Sequence, residues 1–366
     1  MGRSTTLSKF NFTIRHRTCL LLMLVFCANM VKAQTLQWNA IIAGSANGQM
    51  PSIGDIKPDH EGNLVVTAAY SYTNTLNGET LPVPKNYTRG VDFLAKFDPS
   101  GRVQWMDTSH FFGFGNIEIS KKGDYFFSGY GPDTGGNFYG TTPTPKRAYD
   151  FIAKCDRNGK MYWIRKYMDY NNNDESEGIV NFKVDTEENV YVMGALPIYP
   201  DYFEIDSVKY HTVSKIYNGS FVAKFDSSGN LVWIKKLYGD NAISGKLDID
   251  SAGDVYCIAS DSEYSSIQTS TLFKFDKNGN LVKKITIDTI NSNAGINLVY
   301  TDGRNGLYIV GQLIDTTRFL GQDNTGKTYA YFARLDSNLK PKWILYEDGG
   351  VVLGQWTLIK AQEIGT

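Results

Sequence analysis

The side chains able to do chemistry are few and scattered. Beyond residue 33 the chain holds three histidines, His60, His110 and His211, in unrelated segments and without metal-ligand spacing. His110, followed by Phe111 and Phe112, reads as a loop staple. The chain has no G-x-S-x-G elbow, no Walker loop and no G-x-G-x-x-G after a strand. Asp169, Asp174, Glu175 and Glu177 offer oxygens of the kind Ca²⁺ gathers, with a solvated connector as the competing reading. Asp248-Ile249-Asp250 opens like a calcium loop, but Ala252 takes a ligand position and no Glu follows at the right distance, so it reads as strand and turn. Ca²⁺ is therefore the sole cofactor with candidate ligands, and no catalytic residue is assigned. What remains is aromatic. Tyr70, Tyr72, Tyr87, Tyr130, Tyr139, Tyr199 and Tyr202, with Tyr210 and Tyr217, fall in long irregular segments. Such rings stack on sugars; they also cover the small cores of their own loops.

Those segments need a scaffold, and a repeat supplies it. FLAKFDPSGRVQW from Phe93 returns as FIAKCDRNGKMYW from Phe151, FVAKFDSSGNLVW from Phe221, TLFKFDKNGNLVK from Thr271 and YFARLDSNLKPKW from Tyr331. Its aspartates, Asp98, Asp156, Asp226, Asp276 and Asp336, are 58, 70, 50 and 60 residues apart, so a constant unit carries variable loops. A second pattern precedes each copy: DIKPDHEGNLVVTA from Asp55, IEISKKGDYFFSG from Ile117, FKVDTEENVYVMG from Phe182, LDIDSAGDVYCIA from Leu247 and LVYTDGRNGLYIVG from Leu298. Each half reads strand, Asp-x-x-Gly turn, strand. Two such hairpins make a four-stranded antiparallel sheet, and such sheets in tandem predict an all-β fold, a β-propeller with five complete blades. Trp105, Trp163, Trp233 and Trp343, on the fourth strands, are expected to wedge between neighbouring blades. Lys96, Lys154, Lys224, Lys274 and Arg334 recur two residues before an Asp. Five copies of a catalytic group would be superfluous, so packed stems with paired heads are expected.

Leu36-Gln37-Trp38-Asn39 matches a fourth strand and Thr357–Ile364 a first strand, so a possible incomplete sixth blade would draw on both termini. Residues 1–33 read as a signal peptide: Arg3, Lys9, Arg15 and Arg17, an apolar run from Cys19 to Met30, then a small-residue exit at Ala33. Residues 34–366 then form one propeller domain. Removing the leader takes away five basic residues and no acids, leaving 32 basic against 38 acidic, net −6. That balance gives nucleic acid no basic surface to bind. No later segment is apolar enough to span a bilayer. Cys155 and Cys257 fall in strands of different blades, where other copies carry apolar residues, and are expected as buried free thiols.

The repeat resembles the SBBP-type β-propeller repeat of exported bacterial proteins. Gly62-Asn63, Tyr191-Val192-Met193-Gly194 and Phe221-Val222-Ala223-Lys224-Phe225-Asp226 carry the likeness, which covers nearly all of residues 36–345. It implies a secreted or surface propeller, often of Bacteroidetes-like origin. Asp226, Gly229 and Trp233 are also similar to quinoprotein-type repeats. Quinone-binding members use adjacent cysteines, which this chain lacks, so no quinone is implied.

In a four-stranded meander the first–second and third–fourth turns share one face, and the second–third loops and blade-to-blade links share the other. Here the first face is short and uniform and the second is long and individual: 69–92, 130–150, 195–220 and 312–330. Binding usually lives on variable loops held by a rigid scaffold. The expectation is an exported, secreted, periplasmic or cell-surface binding or interaction module, non-enzymatic, with a protein or polysaccharide ligand on the long-loop face. The alternatives are a polysaccharide-active hydrolase or lyase with carboxylates on that face, and a structural spacer.

Overall fold

A computed structural model describes residues 42–43, 52–70, 75–76, 79–80, 91–109, 113–131, 149–168, 179–195, 202–205, 208–211, 220–237, 246–261, 268–290, 295–303, 306–313, 318–320, 322–323 and 329–348. The described elements are all β. In chain order they are β1 (Ile42–Ala43), β2 (Ser52–Pro58), β3 (Leu64–Tyr70), β4 (Thr75–Leu76), β5 (Glu79–Thr80), β6 (Val91–Phe97), β7 (Val103–Ser109), β8 (Gly113–Ile119) and β9 (Tyr125–Gly131). Next come β10 (Tyr149–Cys155), β11 (Met161–Met168), β12 (Ile179–Val184), β13 (Val190–Ala195), β14 (Tyr202–Ile205), β15 (Val208–His211), β16 (Ser220–Phe225), β17 (Leu231–Leu237) and β18 (Lys246–Ile249). The rest are β19 (Val255–Asp261), β20 (Gln268–Phe275), β21 (Leu281–Ile290), β22 (Gly295–Thr301), β23 (Leu307–Leu313), β24 (Arg318–Phe319), β25 (Gln322–Asp323), β26 (Tyr329–Leu335) and β27 (Pro341–Asp348).

Five antiparallel four-stranded blades result: β2-β3-β6-β7, β8-β9-β10-β11, β12-β13-β16-β17, β18-β19-β20-β21 and β22-β23-β26-β27. They follow one another in the propeller-like arrangement the repeat predicts, and no sheet hydrogen bond among the described residues joins the first blade to the fifth. The middle strands read as unbroken apolar runs because both of their faces are covered. β13, Val-Tyr-Val-Met-Gly-Ala, is buried at every position. The fourth strand is an outer edge and alternates instead, as Leu-Val-Trp-Ile-Lys-Lys-Leu does in β17.

Each blade turns one face forward, toward the next blade, and one back. Among the described residues the core is accordingly divided into four clusters, one at each described junction. Leu94 of the first blade meets Tyr125, Phe127 and Phe151 of the second. Ile152 meets Phe182, Val192 and Phe221 at the next junction. Met193, Val222 and Trp233 meet Leu247, Cys257 and Phe273. Tyr256, Ile258 and Leu272 meet Val299, Ile309 and Tyr331. Cys155 and Cys257 are free and buried within these clusters, as expected, and burial pushes both thiols up.

All ten turns within the blades are five residues long. The turn at Asp226 shows the design. Its N–H donates to the Asn230 carbonyl at 2.8 Å and its carbonyl accepts from Gly229 N–H at 2.8 Å. Its Oδ1 accepts from Ser228 and Asn230 N–H at 2.9 and 2.8 Å, so one carboxylate satisfies the backbone of the whole turn. Burial would raise the Asp226 carboxyl, but the Asn230 and Ser228 bonds overcome it and hold it low. Gly229 has φ +79, which L side chains avoid.

The long connections contain strands that the sequence did not announce. β4-β5, β14-β15 and β24-β25 are hairpins inserted between the second and third strands of blades one, three and five. Each leaves its own blade to pair with an earlier strand: β14 with β11, β24 with β21, β4 with β1. Ile205 lies opposite Tyr167, and Leu76 opposite Ile42. Tyr167 stands four residues after Trp163, and Ile42 four after Trp38, so β1 takes the place of a fourth strand. The rest of the expected sixth blade lies outside the described residues. The hairpins escaped the pattern because strands of two to four residues show no periodicity. They form by borrowing the edge of the preceding blade, and they seal its core: Ile205 and Phe319 are buried in the junction clusters.

Candidate functional site

The repeat's recurring residues are structural. Trp105 lays its ring on Gly159 of the next blade, with ring carbons 3.2–3.4 Å from where a Cβ would stand. Trp163 does the same on Gly229 and Trp233 on Gly279. Their indole N–H groups donate to backbone carbonyls of those same turns, Arg157 at 3.1 Å, Ser227 at 3.1 Å and Lys277 at 3.2 Å. The wedge expectation holds at these three junctions. The basic column also behaves as expected. Lys96 pairs with Asp59 at 3.2 Å, Lys274 with Asp254 at 2.9 Å, and Lys154 with Asp124 and Glu188 at 3.1 and 3.0 Å. Lys224 lies over the Tyr191 ring, 5.0 Å from its centroid.

Around the first strands, charges alternate from blade to blade. Two residues before each turn stand Lys57, Glu118, Lys183, Asp248 and Tyr300. Lys183 bonds Glu118 at 2.5 Å. Burial would lower the Lys183 ammonium, but Glu118 and Asp248 attract it and keep it high. Asp248 is raised by burial while it accepts from Thr301 N–H of the next blade at 2.6 Å. Asp55 accepts from Ile117 N–H of the next blade at 2.9 Å. These groups neutralise one another and tie first strands together, so they bind the molecule to itself.

The opposite end carries the variable connections. Second–third connections of 20, 17, 24, 6 and 15 residues leave there, in contrast to the ten five-residue turns. Tyr70 ends β3, Tyr130 lies in β9 and Tyr202 begins β14, all at this end. Tyr72, Tyr87, Tyr139, Tyr199 and Tyr217 lie outside the described residues, as do His110 and the acids Asp169, Asp174, Glu175 and Glu177 with their Ca²⁺ reading. Tyr210, in β15, packs on the cluster between blades two and three and so serves the loop's own core. His60 joins a carbonyl, its Nε2 lying 2.9 Å from Ser120 O. Asp248 and Asp250 stand in strand and turn, as read. Among the described residues no three His, Cys, Asp or Glu gather as metal ligands, and no helix is long and apolar enough to cross a membrane.

One feature at this end was not foreseen. The residue opening each third strand's F-x-A-K run is Asp92, Asp150, Ser220, Ser270 or Ala330. Asp150 and Ser220 are buried. Burial raises the Asp92 carboxyl to about 7. The signal available in sequence was two acids in a column otherwise filled by small residues.

No family model and no curated protein matches the chain. Solved structures similar to it include a protein of unknown function from Dyadobacter fermentans DSM 18053, at 9% identity and TM-score 0.40 with 82% of each chain covered. A member of the DUF4221 family from Bacteroides vulgatus shows 10% identity and TM-score 0.29, covering 86% of this chain and 88% of that one. A eukaryotic initiation factor shows 8% identity and TM-score 0.38; 81% of this chain is covered, and it spans 55% of that protein. At these values none of them carries an inference about what this chain does.

Proposed function

We propose that the chain is an exported, non-enzymatic interaction module that holds a protein or polysaccharide ligand at the long-loop end of its blades. One observation carries the reading. Sequence individuality is confined to one end: ten turns of equal length stand against five connections of 6 to 24 residues. The likeness to SBBP-type repeats and the charged, apolar, small-residue order of residues 1–33 support export to the periplasm, the cell surface or beyond. The net charge of −6 beyond residue 33 speaks against nucleic acid. Tyr70, Tyr130 and Tyr202 are the ligand-face residues to substitute first.

A second reading, a polysaccharide-active enzyme, has one observation in its favour. Asp92 sits at the loop end with its carboxyl raised to about 7, where a general acid is useful. Thermal unfolding of residues 34–366 with EDTA, with Ca²⁺ and with a panel of soluble polysaccharides separates the cases. A ligand at a hundred times its Kd adds about 2.7 kcal/mol of stability. A shift with one glycan class, reduced in Tyr202→Ala, supports the binding face. Release of reducing ends from that glycan, lost in Asp92→Asn, would transfer the assignment to the enzyme. A flat response to every glycan, together with no cell-surface protein retained on the immobilised chain, would sink the module and leave a spacer.

A further inference from the structure

The chain spells Asn-Gly six times, the dipeptide in which asparagine most readily loses its side-chain amide. Glycine leaves the following backbone nitrogen uncrowded. That nitrogen attacks the asparagine Cγ: the N–Cγ bond forms, the Cγ–Nδ2 bond breaks, and the amide proton leaves with Nδ2 as ammonia. Water then opens the cyclic imide to aspartate or isoaspartate. The attack needs the Asn-Gly peptide to rotate until its nitrogen faces Cγ. Two of the six copies, Asn158-Gly159 and Asn278-Gly279, lie wholly within the described residues, each in a third–fourth turn. Both asparagines are exposed to water, so any protection has to come from geometry.

At these two sites the backbone is held on both sides of the asparagine. Before it, the Arg157 carbonyl accepts from Trp105 Nε1 at 3.1 Å and Lys96 Nζ at 3.4 Å. The Lys277 carbonyl likewise accepts from Trp233 Nε1 at 3.2 Å and Lys224 Nζ at 3.4 Å. The N–H of Asn158 donates to Asp156 Oδ1 at 2.8 Å, and that of Asn278 to Asp276 Oδ1 at 2.9 Å. After it, the attacking nitrogen itself is engaged. Gly159 N–H donates to the Asp156 carbonyl at 3.0 Å, and Gly279 N–H to the Asp276 carbonyl at 2.9 Å. The preceding blade's ring closes the arrangement. Trp105 Cδ2 lies 3.2 Å from where a Cβ on Gly159 would stand, and Trp233 Cδ2 lies 2.7 Å from the same point on Gly279. Rotating the Asn-Gly peptide would break the glycine's hydrogen bond and press the turn against that ring.

We infer that Asn158 and Asn278 are latent deamidation sites, which the tryptophan of the preceding blade keeps closed for as long as the two blades are docked. The trigger is separation of the blades, and water is the co-reactant. An isoaspartate would add a backbone carbon between the carbonyl that receives the tryptophan and the glycine under its ring. The reaction, once made, therefore spoils the seat that had prevented it. Each of these junctions is a one-way record of having opened.

The purified chain is incubated in mildly alkaline buffer with and without urea, and peptide mass spectrometry follows conversion of each asparagine to aspartate and isoaspartate. Folded, both sites should convert on the order of ten-fold or more slowly than in urea, because the reaction waits on a local opening. Equal rates with and without urea overturn the inference, and this arm needs no variant. In variants whose circular dichroism matches the parent, Trp105→Ala should speed Asn158 about five-fold, the worth of one hydrogen bond, and leave Asn278 at its folded rate. Trp233→Ala should do the converse. Trp105→Phe keeps a ring and loses the N–H, and should speed Asn158 less than Trp105→Ala does. Acceleration of both sites together by either alanine variant, or of neither site, overturns the inference, because protection would then not belong to the ring at each junction.

Discussion

Glu188 occupies a position that glycine fills in most of the turns, with φ +68. Nothing local favours it there. The compensation lies in the preceding blade, where Ser120 replaces the aspartate that heads the other nine turns. Glu188 reaches back, accepting from Ser120 Oγ at 2.7 Å, Lys122 at 2.9 Å and Lys154 at 3.0 Å. Burial would raise its carboxyl, but those bonds hold it low. One strained residue thus supplies the carboxylate its neighbour lacks. Glu188→Gly relieves about 1 kcal/mol of backbone strain but leaves Lys154 short of a partner, so a net loss of about 2–4 kcal/mol is expected in urea unfolding. Ser120→Asp on that background should recover at least half of the loss. Because the folded Glu188 carboxyl is low, its contribution is present above the unfolded value, near 4.5, and fades as pH falls through the folded value. Asp92 behaves in the opposite sense. Its carboxyl is raised to about 7, so the native state loses stability as pH rises from about 4 to 7. Asp92→Asn should flatten that part of the pH profile and stabilise the chain at pH 8 by about 1–3 kcal/mol, as thermal melts across the range will show.

Among elements, the fourth junction departs from the others in two places at once. Lys283 replaces the tryptophan, and Leu339, at φ +58, replaces the glycine. Lys283 reaches the Asn338 carbonyl, and Leu339 is buried in the junction cluster. The pair is coupled because a tryptophan ring needs a turn without a Cβ beneath it. Lys283→Trp alone should cost about 1–3 kcal/mol by overpacking, and Leu339→Gly alone about 3 kcal/mol by emptying the cluster. Together they should cost at least 1 kcal/mol less than their sum, a double-mutant coupling read from denaturation midpoints. Purely additive losses would disprove the coupling. This exchange was visible in the sequence as two mismatches to the repeat, but the link between them was not. They lie 56 positions apart, and only the stacking of blades brings them together. The five blades, their turns and their basic and tryptophan columns were legible because each is a local pattern that recurs in four or five of the blades. The clamp hairpins were not, because their strands exist only against another blade's edge, and Asp92 was not, because burial is not written in one residue's identity.

At the scale of the molecule, no blade owns its core. Each of the four clusters takes side chains from two blades, so losing one blade exposes both of its neighbours. The described blades should therefore unfold together. Cys155, in the second blade, and Cys257, in the fourth, report on this directly, being free and buried. With Cys19 and Cys27 replaced by Ser, both thiols should react with an alkylating agent at one common rate in moderate urea. Labelling of one well before the other would show that the blades open separately. Since the two thiols form no disulfide with each other, the melting temperature should also be unchanged by reductant.

A chain of near-copies runs a risk of its own: any blade can try to mate with the wrong one. Trp105, Trp163 and Trp233 are interchangeable keys, and Gly159, Gly229 and Gly279 interchangeable seats. Leu339 is not such a seat. A third blade that skipped the fourth and docked straight onto the fifth would drive Trp233 into a leucine. The Lys283–Leu339 exchange therefore acts as a place marker, giving one junction an identity and guarding the order of assembly while the chain folds.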